Sequence, residues 1–223
     1  GGTSSSCLNG VRGHFGTVGG GRGNIAGTAG QASLTADAVV AGGQSNVAAY
    51  MVSVVSGGLQ NRALSLASTV SGGMRNTAGA PTVSGATVLG GIDNQALGST
   101  STTVGGSGNK ATGHYSLAAG SYSEAAHNGA FVWTDSSEPL APHASTGADQ
   151  FAIRATGGIR LHNNTSQFFG SQTRQMLNLW GTEFGVGVQA NTLYQRSASM
   201  FSWFIGGVHC DTQNCPGAGG LEH

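Results

Sequence analysis

The stretch Val40-Ala41-Gly42-Gly43-Gln44-Ser45-Asn46-Val47-Ala48 returns along the chain as Val55 to Ala63, Val70 to Ala78 and Val88 to Ala96. An earlier copy runs Val18 to Ala26, and a later one, Gly105 to Ala111, carries its valine at Val104. A seventh, Gly120 to Ala125, has Ser123 in the Asn slot. The Asn residues fall fifteen apart from Asn46 to Asn61 to Asn76 and from Asn94 to Asn109. The last step, to Ser123, is fourteen. The two longer steps, into Asn46 and into Asn94, read as loops inserted into a coil. A fixed short period of this kind signals a repeat architecture.

The phrase explains itself as one coil. Short alternation such as Ser68-Thr69-Val70-Ser71, closed by Gly-Gly, reads as a strand ending in a tight turn. Glycine permits positive φ without a Cβ clash. The Asn tolerates the left-handed conformation and can bond neighbouring backbone. The Ala two residues later suits an inward slot where only a methyl group fits. Fifteen residues at about 3.3 Å each, less the turns, make a flattened coil with two short strands. Coils stacked in parallel at about 4.8 Å give seven of them a length of roughly 35 Å. Such a slender coil buries little surface alone, so copies of the chain packed in a closed symmetric oligomer would complete its core.

Composition narrows the function classes. The chain has 223 residues, 40 of them glycine, with 8% charged residues and zero formal net charge. Lys110 is its single lysine and eight arginines are scattered. Phosphate binding needs a clustered basic surface, so nucleic acid is not an expected partner. No apolar run approaches the ~20 residues of a spanning helix, so this segment is not expected to insert in a membrane. Gly1-Gly2-Thr3 does not open a signal peptide, and Leu221-Glu222-His223 resembles the start of a vector-encoded tag. Together these read as an excised piece of a longer protein. Cys210 and Cys215 sit five apart with no second pair to complete a metal site. A small loop-closing disulfide in an oxidising compartment is the first reading and two free thiols the second; Cys7 is left over.

The Gly-x-x-Asn/Ser-x-Ala grammar, at a period of fourteen to fifteen, resembles the head repeats of trimeric autotransporter adhesins. The resemblance covers about half the chain. It implies an all-β fold: a left-handed parallel β-roll, three chains side by side, followed by a connector and a small β-rich trimeric tip domain. The double glycine and the two insertions depart from the usual head motif. On this basis residues 1–17 are a frayed or partial first coil and 18–126 the roll. Residues 127–167 form a capping connector whose aromatics plug the open end, and 168–220 a tip domain, with 221–223 the tag remnant. The tip is similar to the β-modules of mosaic adhesive trimers, the fibres of predatory bacteria. Strands are expected at Met176–Trp180, Val186–Gln189, Thr192–Arg196 and Phe201–Ile205.

Chemistry is sparse. No carboxylates pair closely in sequence, no nucleophile elbow occurs, and no helix follows Gly185-Val186-Gly187 to hold a dinucleotide. No enzyme activity, cofactor or metal is expected. His209-Cys210-Asp211 could hold an ion only if three copies met on an axis, and packing is the stronger reading. The Asn series reads as turn structure rather than a ligand ladder. The best binding candidate is the aromatic-rich end: Trp180, Tyr194, Arg196, Trp203, His209, Asp211, Gln213 and Asn214, a set suited to a glycan. Many of those rings would serve simply as core in so small a domain. The expected role is therefore an extracellular, bacterial cell-surface homotrimer whose tip meets a surface glycan or envelope protein of a target cell. The alternative is a purely structural fibre module of the phage tail-fibre kind. A β-helical polysaccharide lyase or hydrolase is a poor third, lacking a visible carboxylate or basic cluster.

Overall fold

A computed structural model describes residues 8–28, 36–137, 142–160, 174–180, 184–189, 192–198, 204–205 and 221–222. The chain divides into two compact units, residues 1–160 and 161–223. Among the described residues there is no helix.

The first unit is a parallel β-solenoid. Two nine-stranded sheets run its length, and every pairing between successive coils is parallel. One sheet carries the repeat alanines, as in Val47–Ala48, Arg62–Ala63, Thr77–Ala78 and Gln95–Ala96. The other carries the repeat valines, as in Val39–Val40, Val54–Val55, Thr69–Val70 and Thr87–Val88. We call them the alanine and valine sheets. A third line of isolated parallel bridges joins Arg22, Gln44, Leu59, Met74, Ile92 and Ser107 just after the glycine pair. Nine strands at about 4.8 Å make the stack roughly 40 Å long.

The core is a set of ladders one residue wide. Ala26, Ala48, Ala63, Ala78 and Ala96 face Val40, Val55, Val70 and Val88, all fully buried. A further buried column, just before each valine strand, holds only alanine or serine: Ala38, Ser53, Ser68, Ala86, Ser101, Ser116 and Ala130. The serines close their own turns, as Ser68 Oγ donates to the Ser65 carbonyl at 2.7 Å and Ser101 Oγ to Gly98 at 2.8 Å. The sequence reading of alanine as an inward methyl slot is what the coil shows.

Each coil turns on three left-handed residues. The second glycine of each pair is one, with φ of 88° at Gly43, 90° at Gly58 and 86° at Gly73. The second is the residue before the Asn: Ser45, Gln60, Arg75, Asp93 and Tyr122 all lie between 53° and 58°. The Asn itself, expected to tolerate that conformation, does not adopt it. Its side chain is occupied inside the coil instead. The third corner precedes the valine strand and includes Asp37, Val52, Ala67, Thr100 and Tyr115. At this corner the amide of each coil reaches the previous one, as Ala67 N–H donates to Met51 and Thr100 N–H to Ser84.

Val52 holds a φ of 49° on an exposed corner, where a β-branched side chain is strained. Val52→Asn relieves that strain, since Asn adopts the left-handed region at lower cost. We expect a gain of about 1 kcal/mol, seen as a rise of about 2–4 °C in Tm.

Both insertions leave at this third corner. The extra residues before Asn94 lie within 79–85, and Thr87 regains register with both Thr69 and Thr102. Those before Asn46 lie between Ala26 and Ala38, partly outside the described residues. A corner loop costs the stack little, because loop-closure entropy grows slowly with length.

The coils run beyond the phrase at both ends. Gly10–Val11 pairs with Ile25–Ala26, so Asn9-Gly10-Val11 is an eighth copy, fifteen residues before Asn24. At the other end Phe131–Thr134, His143–Ala144 and Phe151–Arg154 add strands to the same two sheets. Residues 127–137 and 142–154 thus continue the stack. Their aromatics do not plug it. Val132 is the inward residue, so by alternation Phe131 and Trp133 face outward. Phe151 lies 4.7 Å from Phe131, ring centre to ring centre, on the outside.

The second unit contains a three-stranded antiparallel sheet: Arg174–Trp180, Phe184–Gln189 and Thr192–Arg196, with the middle strand between the other two. Phe204–Ile205 pairs with Leu221–Glu222. The first three strands fall on the expected segments.

Candidate functional site

The repeat Asn residues come first, because a row of identical polar side chains invites a ligand reading. All six from Asn24 to Asn109 are fully buried. Asn61 Nδ2 donates to Gly57 O at 2.8 Å in its own coil and to Gly73 O at 2.9 Å in the next. Its Oδ1 accepts from the backbone N–H of Asn76 at 3.0 Å, and its own N–H donates to Asn46 Oδ1 at 2.9 Å. The same three side-chain bonds recur at Asn24, Asn46, Asn76, Asn94 and Asn109. Every donor of each amide is used, leaving none for a ligand. The ladder begins at exposed Asn9, whose Oδ1 accepts from Asn24 N–H. It ends where Ser123 and then His143 take the Asn register. Ser123 Oγ keeps part of the pattern by bonding Thr134 Oγ1 at 2.8 Å.

The proposed glycan residues are placed only in part. Trp180 ends the first strand of the antiparallel sheet, opposite Phe184, and Arg196 ends the third, opposite Gly185. These two therefore share one end of the sheet, on either side of its middle strand. Tyr194 lies opposite Gly187, two residues further in. Trp203, His209, Cys210, Asp211, Gln213, Asn214 and Cys215 lie outside the described residues. The six-residue loop and its pairing are therefore not placed.

Charges on the solenoid follow a pattern. Arg62, Lys110 and Glu124 lie on the alanine sheet, with Lys110 Nζ 3.4 Å from Glu124. Arg75 and Asp93 lie at the glycine corner in a two-point ion pair at 2.6 and 2.7 Å. Hydrogen bonding across that half-exposed pair lowers the Asp93 pKa and raises that of Arg75. Exposed pairs of this kind contribute little to stability. Arg22 donates to Gln44 Oε1 at 2.9 Å along the same corner. The outward columns of the valine sheet carry no charge at all. Arg154, the charged residue within its strands, is in register with buried Thr134 instead.

Asp135 forms a clasp where the valine sheet ends. Its carboxylate accepts from Ser137 Oγ at 2.6 Å, and from Thr156 N–H at 2.6 Å and Oγ1 at 2.7 Å. The Ser137 hydroxyl, then the Thr156 amide and hydroxyl, hold this carboxyl well below the usual range. A lowered folded pKa means the clasp is fully present above about pH 4, the unfolded value. It is lost only as pH falls through the lower folded value. Asp135→Asn should therefore speed amide exchange at Thr156 at pH 5 to 7, while wild type shows no change in protection across that range.

Among the described residues no group of three or more His, Cys, Asp or Glu side chains could hold a metal ion. His114 Nδ1 accepts from Ser99 N–H at 3.3 Å and His127 Nδ1 lies 2.9 Å from Ser145 Oγ, both local contacts within the stack. No helix of the described residues is long and apolar enough to cross a membrane.

By its fold the first unit is a parallel β-solenoid repeat protein. Neither a protein-family model nor any curated protein matches the chain.

Proposed function

We propose that this chain is part of a trimeric bacterial surface fibre, an adhesin-like segment. In this reading a stiff left-handed roll carries a β-rich tip toward a surface glycan or envelope protein of a target cell. The supporting observation is the closed coil. The second Gly, the Asn and the Ala of each phrase are consumed by coil geometry, leaving a uniform rod with no clustered chemistry on its charged faces. A rod of this kind supplies reach and stiffness. Three weak sites on one tip would gain avidity without new contacts. No nucleic-acid partner, cofactor or catalytic role belongs to this reading, and the resemblance of the repeats to adhesin heads is consistent with it.

A purely structural fibre module is the second reading. It is favoured by the same self-sufficient coil, which needs no ligand site anywhere along its length. A glycan array on wild type, Trp203→Ala and Asn214→Ala separates the two. The adhesin reading expects binding by wild type that both substitutions weaken. A blank array for wild type across a broad panel would favour the spacer.

A further inference from the structure

We infer that the outward face of the valine sheet is the surface on which copies of this chain meet, parallel and in register. Two outward columns define it. One passes through Val39, Val54 and Thr69 to Phe151, the other through Ser71, Leu89 and Val104 to Trp133. Strand register carries the first column over nine strands. The second is registered from Val104 to Ile153 and is continued in the earlier coils by the N–H groups of Gly19, Ala41, Ser56, Ser71 and Leu89, each donating to the next coil. Leu89 is 52% exposed, Val104 41% and Phe151 68%, so large apolar groups remain uncovered along this face.

The choice of occupant follows from charge. In a parallel, symmetric assembly each residue near the axis meets its own copies, so a charge there would face the same charge. A different partner protein could instead supply the opposite sign. The valine-sheet columns lack both signs, whereas the alanine sheet and the glycine corner carry Arg62, Lys110, Glu124, Arg75 and Asp93. Such a face can be desolvated without stranding an ion. Its middle is small, with Ser56, Thr69 and Ser71, which lets neighbouring sheets approach closely, and its far end supplies the rings. Two columns over nine strands give about 18 residues a side, near the roughly 20–30 of a stable interface.

This inference rests on the trimer reading above, and the test separates the two. Light scattering of the full chain should give three times 22.2 kDa for wild type. Val104→Glu and Leu89→Glu should each bring the mass to that of one chain, with the β-type circular dichroism retained. Gln95→Glu, on the outward alanine face, should leave the trimer intact. As a milder probe, Ser71→Cys should give covalent dimers on oxidation beyond the wild-type background, and Gln95→Cys should not. Wild type at 22.2 kDa overturns both the trimer and the face. A wild-type trimer that survives both glutamates and yields no Ser71→Cys cross-link overturns the face alone.

Discussion

Asn61→Leu should destabilise the solenoid by about 4 kcal/mol, measured by urea unfolding. Leucine matches the shape of Asn closely but supplies neither a donor nor an acceptor. Three hydrogen bonds disappear with it: those to Gly57 O, to Gly73 O and from Asn76 N–H. Gly73 O keeps the bond from Leu59 N–H. Gly57 O and Asn76 N–H lose their partner within the coil. Each orphaned polar group costs about 1–3 kcal/mol when it is fully buried, as this position is. Asn61→Ser should cost about half as much, because a hydroxyl in this slot still reaches a neighbour, as Ser123 does. A stability change below about 1 kcal/mol for Asn61→Leu would mean the ladder does not hold the coils together.

The second large effect belongs to the glycine pair, whose two members are not equivalent. A Cβ at Gly58 would stand 2.2 Å from the carbonyl oxygen of Gly73 and 2.6 Å from Asn61 Nδ2. It would also sit at a φ of 90°. Neither the Gly73 backbone nor the Asn61 side-chain amide can yield without breaking the ladder. Gly58→Ala should cost about 3 kcal/mol or more. Gly42, the first glycine of its pair, has no atom within 4 Å of where its Cβ would stand and no positive φ. Gly42→Ala should be neutral within about 0.5 kcal/mol, or slightly stabilising through a stiffer unfolded chain. The seventh coil already makes this exchange, with Ala119 before Gly120. Parallel thermal melts of the two variants measure the contrast. Equal losses would deny the close approach at the second position.

The repeat was legible because coil geometry repeats one constraint in one place. A methyl-sized slot, a left-handed turn and a buried amide each leave a fixed residue at a fixed step. What was harder to see followed from the same rule. Asn9 stands at the right distance from Asn24, but its partner in the alanine slot is Val11 and its glycines are missing, so the copy is disguised. The left-handed residue before each Asn carries no single residue type, ranging from Ser45 to Arg75 to Tyr122, so composition could not mark it. The aromatics of Phe131, Trp133 and Phe151 looked like a plug because large rings suggest a core. Their placement either side of Val132 and Ala152 puts them outside, as alternation required. In the second unit the strand segments were readable from apolar runs between glycines. Any site among Trp203 to Asn214 depends on how loops converge, which no period encodes.

The proposed adhesive role asks little of the phrase that dominates the sequence. The phrase makes a rod. Its coils are tied together by amides locked between them, which also removes those amides from any role in recognition. Hydrogen exchange followed residue by residue tests that claim most directly. The backbone N–H and the side-chain amide protons of Asn46, Asn61, Asn76 and Asn94 should exchange among the slowest in the chain, together and with similar protection. Side-chain amides of these residues exchanging as fast as those of exposed Asn9 or Asn128 would contradict the account.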